Sequence, residues 1–190
     1  MSPLATTLTN IFSWGTLLAH VCVLVLAVAL AAVIFKNPSK RLHHLSRKAA
    51  DHAFLIGFVI SLCAFAFSLV YSNVIGFAPC ELCWWQRVFL YPQVILFGIA
   101  LYNEKVRRVQ DELVFQYSFF LSLVGGAIAF FQYYGQMFAP GILGACAAQG
   151  ISCAQIFFVS FGYITIPMMS LTAYLVLILL YFFRRHTPKV

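Results

Sequence analysis

The sequence predicts an all-α integral membrane protein with five transmembrane helices. Three observations carry this. The 190 residues are 63% hydrophobic and only 9% charged, and the mean hydropathy of +0.92 belongs to a membrane protein rather than a soluble one. The apolar residues gather into runs long enough to cross a hydrocarbon core of about 30 Å. Eleven of the twelve Lys and Arg fall into three segments that share one side of a five-span arrangement.

Ile11–Phe35 is the first run, 25 residues without a formal charge. A cleaved leader has basic residues ahead of a shorter apolar run; here they come after it, so the segment reads as a retained helix. Lys36, Lys40, Arg41, Arg47 and Lys48 form the first basic loop. Ala53–Ile75 is the second span. Trp84–Tyr102 is the third, interrupted by Arg87 and Pro92. Lys105, Arg107 and Arg108 follow it, and Leu113–Tyr134 is the fourth span. The apolar stretch Ile156–Phe183 is too long for one straight crossing. Gly162 and Pro167 suggest a break, with Ile156–Ile166 lying on or dipping into the membrane surface and Pro167–Phe183 as the fifth helix. Proline in a first turn loses no intrahelical bond. Arg184, Arg185 and Lys189 close the chain.

The charge bias makes the basic side cytoplasmic. The N-terminus, the loop before Trp84 and the loop Gly135–Gln155 then face outward. The net charge of +7 belongs to short loops against the anionic lipid surface, not to a nucleic-acid footprint.

Six cysteines sort by side. Cys22 and Cys63 fall mid-span and read as small buried hydrophobes. Cys80, Cys83, Cys146 and Cys153 all fall in the outward loops, where thiols tend to be oxidised. Two local pairs are therefore candidate disulfides. Cys146 and Cys153 enclose six residues and suit a structural staple. Cys80 and Cys83 do not, since so short a loop removes little unfolded-chain entropy. A C-x-x-C points to redox exchange or to metal binding. A four-thiolate zinc site is the third reading, but the second pair is wider than the usual tight spacing.

The stretch "PCELCWWQR" at Pro79–Arg87 concentrates the chemistry. If a helix begins near Pro79, Cys80 and Cys83 share a face of its first turn. The unpaired N–H groups and positive dipole end there favour thiolate over thiol. Arg87, one turn deeper on the face of Cys83, could stabilise an anion or polarise a carbonyl oxygen. It could equally snorkel outward, since a buried guanidinium is costly in a bilayer. Trp84 and Trp85 fit an interfacial aromatic belt. The sequence offers no dinucleotide or haem-attachment motif. By elimination, a site at the membrane boundary could hand electrons to a lipid-soluble quinone. A small transporter or structural subunit with two stapling disulfides is the rival reading. It would want ionisable residues inside the bundle, where only His20 and the boundary Arg87 are found. His20 reads as a hydrogen-bonded helix residue.

The residues "CELCWWQR", a second cysteine pair one helical hairpin later, and a final span opening on "IPMMSLTAY" resemble the DsbB/BdbC family of disulfide bond formation proteins, bacterial membrane thiol–quinone oxidoreductases. The resemblance covers about Ala53–Phe183. It implies a four-helix transmembrane bundle, here with one extra N-terminal transmembrane helix. The chain then divides into residues 1–52, the extra helix and cytoplasmic loop, and residues 53–190, the redox domain. The family implies an enzyme of the bacterial cytoplasmic membrane, its cysteines facing the periplasm or cell exterior. It would reoxidise a DsbA-like thioredoxin-fold protein, sustain disulfide formation during protein folding, and pass electrons to ubiquinone or menaquinone. By position, Cys83 would lie next to the quinone ring, Arg87 near its carbonyl, and Cys80 would partner Cys83. Cys146 and Cys153 would be the outer pair, with Cys146 forming the mixed disulfide. A Cys83–Cys146 cross-link would mark a relay intermediate. A relay running in the reducing direction fits the same residues, because potentials set direction. The short outer loop resembles the Gram-positive form of the family.

Overall fold

The computed structural model describes residues 3–35, 40–107, 109, 112–146 and 151–186; within these, the side chains at 40–43, 45 and 144–146 lie outside the described residues. Six helices are described: α1 Pro3–Ile34, α2 Lys40–Asp51, α3 Ala53–Leu69, α4 Glu81–Tyr102, α5 Leu113–Met137 and α6 Ile166–His186. The helices α3, α4, α5 and α6 pack in a ring, each against the next, with α6 closing on α3. α1 lies outside this ring against α6 and α2.

The fold class is the predicted one, and the helix ends differ in instructive ways. α1 begins at Pro3, eight residues ahead of the uncharged run's Ile11. Proline supplies a helical φ at the first position and lacks only an N–H that has no partner there. The first basic loop is largely the helix α2. Ser46, Ala49 and Ala50 form its buried face while His44, Arg47 and Lys48 are exposed, so it is an amphipathic helix at the bundle's end. α3 continues into one wide turn, Val70–Val74, where the Ile75 N–H reaches the Val70 carbonyl at 2.9 Å.

Four segments are long and apolar enough to cross a membrane: α1, Ala53–Val74, α5 and α6. α4, at 22 residues, is about 33 Å long and runs between α3 and α5. Gln86 and Gln93 lower its hydropathy, but both are buried, so their amides face protein. The Gln93 Oε1 accepts from Ser118 at 2.6 Å and Ser122 at 3.3 Å. Such interhelical hydrogen bonds hold helices together where hydrophobic burial gives no net drive. Small residues allow close approach: a Cβ at Gly125 would lie 2.4 Å from the Tyr174 ring.

The segment 151–165, which holds nearly all of the stretch expected at the membrane surface, is not helical. It is an irregular strap across one end of the bundle, with a tight turn where Ser160 and Ile164 exchange both backbone bonds. Gly162 sits there at φ 78° and Phe161 at φ 52°, backbone that glycine adopts without strain. The break anticipated at Gly162 is this turn, and α6 starts at Ile166 with Pro167 in its first turn. Cys22 and Cys63 are exposed, not buried as expected. Lipid solvates a small apolar thiol about as well as a protein core does, so mid-span position does not dictate burial.

At the opposite end, Arg184 is paired with Glu112 and donates to the Ala50 carbonyl at 3.2 Å. Its guanidinium lies 5.6 Å from the ring centres of both Phe54 and Phe115. One cation thus ties α6 to α2 and to the turn before α5. The bundle has a basic end, where α2 and this clamp lie, and a thiol end.

Candidate redox site

α4 begins at the thiol end, and Cys80 is its N-cap, with extended ψ of 175°. The first helical bond runs from the Trp84 N–H to the Cys80 carbonyl at 3.1 Å. One turn brings Cys83 round to Cys80, with the two sulfurs 3.1 Å apart. A disulfide needs about 2.05 Å between sulfurs, so the two stand within a small side-chain movement of bonding. The Cys83 sulfur first, and burial second, push the Cys80 thiol well above its ordinary range. The thiolate preference expected at the helix N-terminus therefore does not extend to Cys80.

The second thiol pair approaches from the loop after α5. Cys153, fully buried, joins Cys80 and Leu143 in one cluster on which Cys83 also packs, and it lies within hydrogen-bonding reach of Cys80. Gln136 of α5 holds the strap, donating to the Cys153 carbonyl at 3.0 Å and to the Gln155 carbonyl at 3.1 Å. Cys146 ends the short turn Pro140–Cys146; its side chain lies outside the described residues. The structure thus brings Cys153 to Cys80; the Cys83–Cys146 cross-link named as a relay intermediate involves a side chain outside the described residues.

Three residues of this site were missed in the sequence. Gln132 of α5 is buried and donates through Nε2 to Cys80 at 3.3 Å and to Cys83 at 3.5 Å. Its Oε1 accepts from the Gln86 Nε2 at 2.7 Å, which fixes the amide's orientation. The Tyr174 hydroxyl of α6 donates to the Gln86 carbonyl at 2.6 Å. The available signal was a glutamine inside an apolar span, which in lipid needs a polar partner.

Arg87 does not reach freely to the surface. Its Nη2 donates to the Ser68 carbonyl of α3 at 3.2 Å, and its guanidinium lies 5.0 Å over the Trp84 ring. Both Arg87 and Cys83 line a cavity of about 310 Å³ between α3, α4 and α6. Its other walls are mainly apolar, among them Phe67, Leu90, Met169 and Val176. Trp84 and Trp85, about half exposed, stand at the same end.

An all-helical membrane bundle with three cysteines clustered at one end, beside an apolar cavity, defines a membrane protein of thiol–disulfide chemistry. The sequence comparisons agree. The model of the family "Disulfide bond formation protein DsbB" matches residues 50–183, and the chain belongs to that family. Among its relatives, the "Probable disulfide formation protein C 2" of Bacillus anthracis is 34% identical over 125 residues, 66% of this chain and 84% of the relative. The "Disulfide bond formation protein C" of Bacillus subtilis (strain 168) is 35% identical over 122 residues, 64% of this chain and 83% of the relative. A "Probable disulfide formation protein" of Metapseudomonas resinovorans is 33% identical over 137 residues, 70% and 90% of the two chains. No solved structure matches the chain. The protein is thus a multi-pass bacterial membrane protein with a role in disulfide bond formation, and α1 lies outside the matched region.

Proposed function

We propose that the chain reoxidises a DsbA-like thioredoxin-fold protein at the outer membrane face and passes its electrons through Cys146–Cys153 and Cys80–Cys83 to a membrane quinone, ubiquinone or menaquinone. The observation that carries this reading is the adjacency of Cys153, Cys80 and Cys83, with Cys83 at the edge of the cavity. The cavity's residues suit a quinone head. Its volume and apolar walls are those of a small-molecule site, and Arg87 is a donor and fixed cation for a carbonyl oxygen. Bound there, the quinone supplies an acceptor for two electrons and two protons.

The thiol steps follow from these neighbours. A partner thiolate attacks the Cys146 sulfur, and Cys153 leaves as a thiolate. The partner's second thiol then resolves the mixed disulfide, releasing oxidised partner and the Cys146 thiol. Cys153, against Cys80, attacks that sulfur; the Cys80–Cys83 bond breaks and Cys83 is released beside the Gln132 amide and the cavity. Cys146 then attacks Cys153, which restores the outer disulfide and frees Cys80. The net change leaves a Cys80–Cys83 dithiol, whose two electrons and two protons pass to the acceptor. In this scheme the exchange intermediate is Cys80–Cys153. Thiolate access and thiol acidity set the rates of such steps.

Anaerobic incubation of the purified protein with a reduced thioredoxin-fold oxidase and each quinone tests the reading, with quinone absorbance followed over time. Loss of quinone matching the oxidised partner, abolished by Cys83→Ser, is the expected result. Oxidation of the partner with no quinone consumed, or no oxidation at all, overturns it.

A further inference from the structure

α1 is not merely a membrane anchor. A helix serving only as an anchor has no reason to place polar groups on one face. Thr9, Ser13 and Thr16 follow one another at helical spacing on α1 and are all buried, with His20 one further turn along. The lipid side, by contrast, is formed by Ile11, Trp14, Leu18 and Val25, all exposed.

The buried face meets the site. Phe12 stacks on Phe67 of α3 at 3.9 Å between ring centres. Gly15, Thr16 and Ala19 line the same cavity as Cys83 and Arg87. A Cβ on Gly15 would meet nothing within 4 Å, so space opens directly off the helix there. His20 fixes α1 in this place. Thr172 of α6 gives its hydroxyl proton to the Met168 carbonyl at 2.8 Å, so its oxygen accepts from the His20 Nε2–H at 2.7 Å. The His20 Nδ1 is then the acceptor for the Tyr163 hydroxyl at 3.1 Å. One imidazole therefore joins α1 to α6, where Thr172 also borders the cavity, and to the strap that carries Cys153.

We propose that α1 is a wall of the quinone cavity, with Ala19 in direct contact with the bound head and His20 as the positioning residue that holds the wall closed. The proposal rests on the quinone reading above. It gives the extra helix a role in ligand retention that the four-helix core alone would have to fill with lipid.

The test is equilibrium binding of decylubiquinone to the full-length oxidised protein in detergent, read by tryptophan fluorescence quenching. Wild type is compared with Ala19→Leu, His20→Ala, His20→Gln and Arg87→Met. Alkylation of Cys80 and Cys83 after dithiothreitol treatment and the thermal midpoint are measured alongside. Ala19→Leu and His20→Ala are expected to weaken binding about five- to tenfold, the scale of one buried polar contact or a few apolar atoms. His20→Gln keeps a donor for Thr172 and is expected to recover most of the loss. Thiol alkylation stays at the wild-type rate in all three α1 variants. If Arg87→Met weakens binding while Ala19→Leu and His20→Ala bind as wild type, the cavity reading stands and the role of α1 is overturned. Equal losses in His20→Ala and His20→Gln, with a lowered thermal midpoint in both, also overturn it, because His20 is then only structural. If wild type binds no quinone, the cavity reading fails and the proposal with it.

Discussion

Gln132 serves two sulfurs with one amide. Its Nε2 faces Cys80 and Cys83 at 3.3 and 3.5 Å, and Gln86 holds its oxygen. Donors aimed at a sulfur favour the anionic form that attacks disulfides. Replacing Gln132 with Leu removes both donors and leaves the Gln86 Nε2 without its acceptor. The expected outcome is a two- to tenfold slower alkylation of the reduced pair by iodoacetamide, from a loss of about 0.5–1.5 kcal/mol per hydrogen bond. Thermal stability should fall as well, by about 1–3 kcal/mol for the orphaned amide. Unchanged alkylation would show that the amide only packs the site. Arg87 works differently at the same scale. Bound to the Ser68 carbonyl and lying over Trp84, it is held at the cavity, which makes its Met variant the natural control for ligand binding.

At the scale of elements, the contact of α5 with α6 aligns the site. Gly125 leaves room for the Tyr174 ring, and the Tyr174 hydroxyl reaches across to the Gln86 carbonyl of α4. The same α4 turn carries Gln86 to Gln132 and so to the thiols. Gly125→Leu would push Tyr174 aside. Overpacking of this kind costs about 1–3 kcal/mol, so a clear drop in thermal midpoint is expected, together with slower thiol exchange. Tyr174→Phe keeps the ring and loses only the hydroxyl, so a smaller drop, about 0.5–1.5 kcal/mol, should accompany it. Equal stability in Gly125→Leu and wild type would mean that the helices do not approach this closely in the membrane.

At the scale of the whole molecule, the bundle is polarised. The α2 helix and the Arg184–Glu112 clamp lie at one end, and Cys80, Cys83 and Cys153 at the other. The charge bias predicts a cytoplasmic basic end, and so a thiol end that faces outward. In a background lacking the native cysteines, Gly141→Cys in the exposed loop after α5 should react with a membrane-impermeant maleimide in intact cells. Lys48→Cys, exposed on α2, should react only after lysis. The reverse pattern would turn the protein over and remove the proposed partner from reach.

The sequence by itself determined the class of fold, the number and order of the long helices, and the family. Hydropathy and charge are one-dimensional properties, and a bilayer converts them directly into spans and sides. It also marked Cys80, Cys83 and Arg87, because a C-x-x-C with an arginine one turn later is a local pattern. The α2 helix and the Ser160–Ile164 turn were less legible, since a short polar segment signals a helix or turn only through what packs on it. The tertiary structure alone decided that Cys153 meets Cys80, that Gln132 and Tyr174 belong to the site, and that α1 lines the cavity. These are contacts between residues 46 to 152 positions apart in sequence. Their partners are chosen by helix rotation and close approach, which side-chain volumes such as the missing Cβ of Gly125 set, and which no local spacing records.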